Sequence, residues 1–165
     1  MSCSTSVDVW LMRHGIAEAR VNGCDNPSRA LTQRGRERTQ AVVTRLSSLG
    51  IRADRMFSSP YARALETAWL AHRGGLAPEP ECAAELMPAG DHHALLPFSE
   101  PRVLLVGHEP DLGDFAADLI GASPGTLCLR KAGLIHLKLP AHHRGPWRGV
   151  AQLEGLIKPG MMLLT

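Results

Sequence analysis

Four consecutive apolar residues at positions 103–106, Val-Leu-Leu-Val, limit the folds that this chain can adopt. A strand with one face in water alternates apolar and polar residues, whereas a strand that is apolar at every position is buried on both faces. Residues 9–12, Val-Trp-Leu-Met, have the same character. Such strands are typical of parallel sheets whose two faces are covered by helices. The sequence therefore predicts an α/β fold.

Helical and extended patterns alternate along the rest of the chain. Helices are predicted over residues 33–49, over residues 61–72 and from residue 109 to a stop at Gly121. Thr32 is the expected N-cap of the first helix, and Ser58 and Ser59 are the expected caps of the second, with Pro60 at its first position. Strands are predicted at residues 7–12, 51–57, around 103–106, 133–139 and 150–156, with a brief extended piece at 78–81 and a turn or short helix at 94–98. This order predicts a three-layer α/β/α arrangement with a mostly parallel sheet, finished at one edge by antiparallel strands.

Composition narrows the class of protein and its partners. A chain of 165 residues with 44% hydrophobic and 21% charged residues is expected to form one domain over residues 1–165. The net charge is +2 without a prominent run of Lys or Arg, and no apolar segment reaches membrane-spanning length. We therefore expect neither a nucleic-acid partner nor a membrane partner.

The cysteines indicate the compartment. Cys3, Cys24, Cys82 and Cys128 are scattered, without a C-x-x-C pair, and the N-terminus lacks the basic and apolar regions of a signal peptide. Unpaired thiols in a reducing environment are the expected state. We expect a cytoplasmic protein.

Reactive side chains follow three of the predicted strands. The first strand ends in Arg13-His14-Gly15, the second is followed by Ser-Ser-Pro and Arg63, and the strand at 103–106 is followed by Gly-His108-Glu. Ligands of open α/β sheets bind beyond the carboxyl ends of the strands, so these groups are expected to meet at one edge.

This expected cluster has the composition of an anion site. Two guanidinium groups present planar forks of donors suited to a tetrahedral dianion, and helix N-termini add positive dipoles. No acidic partner is expected within the cluster, which predicts a phosphate or sulfate pocket. One imidazole can attack phosphorus as a nucleophile, and the other can donate hydrogen bonds to the oxygens as charge develops.

The motifs that carry these residues resemble those of the histidine phosphatase superfamily, which has the phosphoglycerate-mutase-like fold. They are Leu-Met-Arg-His-Gly at 11–15, Leu-Thr-x-x-Gly at 31–35, Ser-Ser-Pro-x-x-Arg-Ala-x-x-Thr-Ala at 58–68 and Val-Gly-His-Glu-Pro at 106–110. The short chain, with Arg-Ala-Leu-Thr at 29–32 and Glu-Leu-Met-Pro-Ala-Gly-Asp at 85–91, is most similar to the SixA-type phosphohistidine phosphatases. The resemblance implies a minimal version of the fold, without a lid insertion.

The resemblance also implies a role for each matching residue. His14 would carry the phosphoryl group, Arg13 and Arg63 would hold its oxygens together with Gly15, and His108 would complete the pocket.

Arg29 would lie near the mouth of the pocket and contact substrate. No metal or other cofactor is implied, because guanidinium and imidazole groups supply the positive charge. The adjacent pairs His92-His93 and His142-His143 are expected to be solvated loop residues rather than metal ligands.

One departure from the family pattern bears on the substrate. Larger relatives place a glutamate, which acts as general acid, at the position that is Pro88 here. Glu85 and Asp91 are the remaining candidates for this acid. An alkoxide leaving group needs protonation, worth roughly 10²–10⁴-fold in rate, whereas the imidazole of phosphohistidine leaves as a weakly basic ring. The resemblance and this argument predict a phosphatase that forms a phosphohistidine enzyme intermediate and acts on phosphohistidine in a partner protein.

Two other functions remain open from the residues. The first is a phosphatase of the same superfamily that hydrolyses small phosphomonoesters. The second is a non-catalytic adaptor that binds phosphate on the same fold. The expected partners are therefore a phosphohistidine-bearing protein or a small phosphorylated molecule, with a phosphate or sulfate anion in the pocket.

Overall fold

The computed structural model describes residues 6–163 and contains one six-stranded sheet. Its strands are β1 (Ser6–Arg13), β2 (Arg55–Ser58), β3 (Glu81–Cys82), β4 (Arg102–Gly107), β5 (Leu134–Pro140) and β6 (Gln152–Ile157). The order across the sheet is β3-β2-β4-β1-β5-β6. The first four of these strands are mutually parallel, and β5 and β6 are antiparallel additions at one edge. The predicted mostly parallel sheet is confirmed.

Helices cover both faces of the sheet. They are α1 (Gln33–Ser48), α2 (Ala62–Arg73), α3 (Asp111–Leu119) and α4 (Pro159–Met162). The buried face of α1 and α2 packs on one side of the sheet, where Val42, Leu46 and Ala68 are fully buried. On the other side α3 contributes Leu112 and Phe115 to a second core. This is the predicted three-layer α/β/α arrangement.

The central strands β1 and β4 supply both cores by alternation. Val9 and Leu11 of β1 face the core under α3, whereas Trp10 and Met12 face the core under α1 and α2. The residues of β4 at 103–106 are at most 2% exposed and divide between the cores in the same way. A strand buried on both faces has no polar position to offer, which explains the uninterrupted apolar runs.

Several boundaries differ from the prediction because tertiary contacts take up backbone groups. The second strand was expected over 51–57 and begins only at Arg55, since Ile51 closes the end of α1 by donating its N–H to Leu46 O. The N–H of Ala53 is likewise taken by Leu76 O, outside the sheet. The short helix expected at 94–98 lies earlier, as a 3₁₀ turn at His92–Leu95, with another at Ala84–Leu86.

The N-termini of α2 and α3 also lie later than predicted. Tyr61 is the N-cap of α2 and no side chain caps it, so the expected capping by Ser58 and Ser59 is wrong. The third helix begins at Asp111, with Pro110 as its N-cap. The expected cap at Thr32 is confirmed, because its hydroxyl accepts the N–H of Gly35 at 2.9 Å.

Two further observations concern the chain as a whole. No helix within residues 6–163 combines the length and the apolar character needed to cross a bilayer. Cys24, Cys82 and Cys128 are exposed free thiols, and Cys3 lies outside the described residues.

Candidate active site

Three parallel strands end at the same level and bring the predicted groups together. In the register of the sheet Arg13 lies opposite Gly107, and Ser58 lies opposite Val106. The pairing continues one residue further, where the N–H of His14 donates to Gly107 O at 3.0 Å. Arg13, His14, Arg63 and His108 all line one cavity of about 330 Å³ at this edge.

Close packing behind the cavity depends on two glycines. A Cβ at Gly15 would collide with the hydroxyl of Thr39, and a Cβ at Gly35 would collide with the carbonyl of Ile16. The N–H of Gly15 donates to Thr67 Oγ1 at 3.0 Å, which ties the end of β1 to α2. Gly15 is buried and does not line the cavity, so the structure places it behind His14 rather than against a substrate.

The imidazole of His14 is held with its Nε2 unprotonated. Its Nδ1 lies 2.7 Å from Gly15 O, and because a carbonyl only accepts hydrogen bonds, Nδ1 carries the proton. Arg63 Nε–H points at His14 Nε2 at 3.3 Å, which is consistent with a lone pair on Nε2. Burial, together with the nearby His108 and the cations of Arg63 and Arg13, lowers the pKa of His14 to about 3. The ring is therefore neutral at physiological pH, as nucleophilic attack requires.

Arg63 is 2% exposed and fixed by an acid that the sequence analysis missed. Its Nη2 donates to Asp25 Oδ2 at 2.8 Å, and Asp25 Oδ1 accepts two further bonds from Arg29. Burial alone raises the pKa of the Asp25 carboxyl, but the hydrogen bonds from Arg29 and Arg63 outweigh this and lower it to about 2. The expectation that the cationic cluster contains no acidic partner is wrong.

His108 lies beside His14 with a ring-centroid distance of 5.2 Å. Its Nε2 lies 2.8 Å from the hydroxyl of Ser59, which also accepts the N–H of Tyr61 at 3.3 Å. Burial and the Arg63 cation lower the pKa of His108 to about 4. Two neutral imidazoles thus share one small cavity with the buried guanidinium of Arg63 and the half-buried guanidinium of Arg13.

The positive charge of the cavity comes from its arginines and lysine. Arg13 is half-buried, lines the cavity and donates from Nη1 to Leu129 O at 2.9 Å. Arg20, Arg29 and Lys131 are among the residues that line it. Arg29 is engaged by Asp25 and by Glu18 O.

The two carboxylates expected as possible acids lie elsewhere. Neither Glu85 nor Asp91 lines the cavity, whereas Pro88 does. Both lie in the segment between α2 and β4, of which Pro88 lines the cavity. The carboxylates that do line the cavity are those of Glu18, Asp25 and Glu109.

Of these, Glu109 has a structural task. Its Oε1 accepts the N–H of Gly113 in the first turn of α3 at 2.9 Å, and burial raises the pKa of its carboxyl. Its position directly after His108 is the sequence signal that could have identified it. Asp25, four residues before Arg29, could have been found from the acid-to-arginine spacing.

One histidine expected in solvent is buried. His92 is 4% exposed and packs against the ring of Phe115, with its Nδ1 at 2.9 Å from Gly90 O. Its partner His93 is exposed and pairs with Asp118, as a surface residue does. The prediction for His92 failed because apolar packing under the 3₁₀ turn is invisible in the local sequence.

Comparison with known proteins assigns the family. A profile of the histidine phosphatase superfamily (branch 1) matches residues 9–87. A protein of Picosynechococcus is 36% identical over 96% of both chains. The phosphohistidine phosphatase SixA homologue of Haemophilus influenzae is 31% identical over 70% of this chain and 78% of its own.

Solved structures show the same fold. The protein histidine phosphatase SixA, solved in complex with tungstate, superposes with a TM-score of 0.77 at 22% identity, over 94% of this chain and 99% of its own. The matching profile and the relative from Haemophilus influenzae place the chain in the histidine phosphatase superfamily.

Proposed function

We propose that this protein is a phosphatase that removes the phosphoryl group from phosphohistidine in a partner protein, with His14 as the nucleophile. The observation that carries the proposal is the state of His14. Its ring is buried and neutral, its Nδ1 proton is held by Gly15 O, and it lies in a cavity lined by Arg13 and Arg63.

The reaction would proceed in two transfers. His14 Nε2 attacks phosphorus in line with the P–N bond of the substrate, and that bond breaks with its electron pair moving to the departing imidazole. The protonated substrate ring leaves as neutral imidazole. Arg13 and Arg63 donate hydrogen bonds to the phosphoryl oxygens, and His108 adds a donor as charge develops. Water then attacks the phosphorus of phosphorylated His14 and releases phosphate, which regenerates the neutral imidazole.

The walls of the cavity favour a leaving group that needs little acid catalysis. Pro88 lies in the segment that connects α2 to β4 and lines the cavity, but its side chain has no proton to donate. Glu109 already accepts a backbone N–H of α3, and Asp25 is held as a carboxylate by two arginines. A weakly basic imidazole tolerates this environment better than an alkoxide does.

The proposal also draws support from the relative named as a SixA homologue. The segment between α2 and β4 holds only β3 and two short 3₁₀ turns, so it provides little material for a lid. A cavity without a lid is open to a phosphohistidine that is attached to another protein.

Rapid-quench labelling tests the proposed intermediate. The protein is mixed with a phosphohistidine peptide carrying labelled phosphorus and quenched at short times. We expect an acid-labile, base-stable label on the protein that is absent in His14→Ala. His143→Ala is the matched control. This histidine lies in the loop between β5 and β6, near the amino end of β1 and so at the opposite end of the strands from the cavity. A label that persists in His14→Ala, or no label at any quench time, would contradict covalent catalysis by His14.

The same preparations separate the proposal from hydrolysis of small phosphomonoesters. We expect kcat/KM for the phosphohistidine peptide to exceed that for an alkyl phosphate. Rapid turnover of the alkyl phosphate that is lost in Glu18→Gln or Glu109→Gln would show that a built-in acid operates and would favour the small-molecule function. Tight phosphate binding without any turnover would instead indicate a non-catalytic adaptor.

A further inference from the structure

A second cavity adjoins the catalytic cavity. Its volume is about 560 Å³, compared with about 330 Å³ for the catalytic cavity. Arg13 and Lys131 line both. A molecule that fills the catalytic cavity and extends past these two side chains therefore enters the second one.

The second cavity, here called the basic groove, is lined by cations without any acid. Its cationic side chains are Arg13, Arg34, Arg38, Arg130, Lys131 and Lys158. Ile16 and Pro159 are among its uncharged lining residues. Since the whole chain has a net charge of only +2, these cations reflect a segregation of charge to one face rather than a general excess.

The topology explains why these cations meet. Arg34 and Arg38 lie one turn apart near the start of α1, which follows the carboxyl end of β1. Arg130 and Lys131 precede β5, whose first residue Leu134 pairs with Met12 near the end of β1. Lys158 follows β6, whose last residue pairs with Leu134. All of these positions lie at the carboxyl ends of the parallel strands, where the catalytic cavity is also found.

The charges of the basic groove are not neutralised within the described chain. Other surface arginines have carboxylate partners at short distance, such as Arg102 with Asp54 and Arg148 with Asp118. Among residues 6–163, Arg34, Arg38, Arg130, Lys131 and Lys158 take part in none of the ion pairs. Like charges that face one concave surface repel each other, so an anionic occupant is favoured.

We propose that the basic groove binds an acidic segment of the protein that carries the phosphohistidine. This inference rests on the proposed function and names the surface that recognises the substrate. A phosphohistidine has protein chain on either side of it, which must pass over the rim of the catalytic cavity, whereas a small phosphate ester ends there. Carboxylates of that chain can pair with Arg34 and Lys158, which are exposed, while its apolar stems contact Ile16 and Pro159.

Two synthetic peptides test the proposal. Both contain one phosphohistidine, flanked in the first by four glutamates and in the second by four glutamines. We expect kcat/KM to favour the acidic peptide by about 10-fold at low ionic strength. The preference is expected to disappear near 1 M salt, where the screening length is about 3 Å.

Charge-reversal variants locate the effect. In Arg34→Glu/Lys158→Glu the preference for the acidic peptide is expected to vanish, with kcat/KM for the neutral peptide within about 2-fold of the unmodified protein. Arg73→Glu/Arg144→Glu is the control, because it changes the net charge equally. Arg73 ends α2 and Arg144 lies between β5 and β6. Both lie at the amino ends of the parallel strands, away from the catalytic cavity. This control is expected to keep the preference.

No preference in the unmodified protein, or an equal loss of preference in the control variant, overturns the proposal. If neither peptide is dephosphorylated, the proposed function fails. The basic groove is still tested by fluorescence anisotropy with the unphosphorylated acidic peptide, whose binding should weaken about 10-fold in Arg34→Glu/Lys158→Glu. The same assay is run with a DNA duplex and with phosphatidylserine vesicles. If either binds more tightly than the peptide, and this binding depends on the basic groove, the assignment to a protein segment is overturned.

Discussion

At the scale of single residues, the position of one proton sets the chemistry of the cavity. Gly15 O holds the proton of His14 at Nδ1, which leaves Nε2 unprotonated. Asp25 then fixes the guanidinium of Arg63, whose Nε lies 3.3 Å from that nitrogen. Asp25 contacts Arg63 and Arg29 rather than the proposed nucleophile, so we propose a positioning role for it.

Replacing Asp25 tests this role. In Asp25→Asn the neutral side chain cannot accept from both arginines as strongly, and Arg63, which is 2% exposed, loses its counter-ion. We expect kcat/KM for a phosphohistidine peptide to fall roughly 10- to 100-fold, because misplacing a binding group by about 1 Å has effects of this size. Asp54→Asn is the control, since Asp54 also pairs with an arginine, Arg102, but does not line the cavity. A rise in kcat/KM would show that Asp25 competes with the phosphoryl group and would contradict the positioning role.

At the scale of elements, the end of β1 and the start of α1 pack without space for side chains. The hydroxyl of Thr32 caps α1 and also donates to Ile16 O at 3.3 Å. The N–H of Thr32 donates to the same carbonyl at 2.9 Å. A side chain at Gly35 would collide with that carbonyl. The Leu-Thr-x-x-Gly motif at 31–35 thus serves packing behind the site.

Gly35→Ala tests this packing. Because the obstructing atom belongs to the backbone, the helix has to move, and overpacking of this kind costs about 1–3 kcal/mol. We expect the free energy of unfolding, measured by urea denaturation, to fall by about that amount, with a reduced kcat/KM. Gly155→Ala in β6 is the control, since an added Cβ there meets nothing within 4 Å. A change in Gly35→Ala no larger than in Gly155→Ala would contradict the close approach.

At the scale of the whole molecule, the buried neutral imidazoles link stability to pH. Burial lowers the pKa of His14 to about 3 and that of His108 to about 4, whereas both groups titrate near 6.5 in an unfolded chain. Between these values the unfolded chain binds more protons than the folded one. Their contribution to stability is therefore complete above pH 6.5 and is lost as the pH falls toward 4 and 3.

The pH dependence of unfolding measures this linkage. We expect the free energy of unfolding to fall between about pH 6 and pH 4, with each imidazole contributing up to about 1.4 kcal/mol per pH unit. His14→Asn should reduce that slope by about 1 kcal/mol per pH unit, because one of the two groups is gone. His143→Asn provides the control. An unchanged slope in His14→Asn would show that the ring is already charged when folded.

Much of the fold could be predicted because the burial of a strand or helix is visible in the pattern of apolar residues in its own sequence. Strands β1 and β4 are apolar at every central position since both faces are covered, and the cap at Thr32 is a local hydrogen bond. The start of β2 could not be predicted in this way. Ala53 and Asp54 donate their N–H groups to the distant carbonyls of Leu76 and Arg102, and these partners depend on how the chain packs.

The sequence by itself determined which chemical groups lie at the ends of the strands. Arg13, His14 and His108 lie at or directly after strand ends of the parallel sheet, and their meeting in one cavity follows from that order. Only the tertiary structure decided how these groups are held. Asp25 reaches Arg63 across 38 positions, Ser59 turns to His108 across 49, and Glu85 and Asp91 lie outside the cavity while Pro88 lines it. The reason is physical: the covalent order fixes where a strand ends, whereas side-chain partners depend on how separate segments pack.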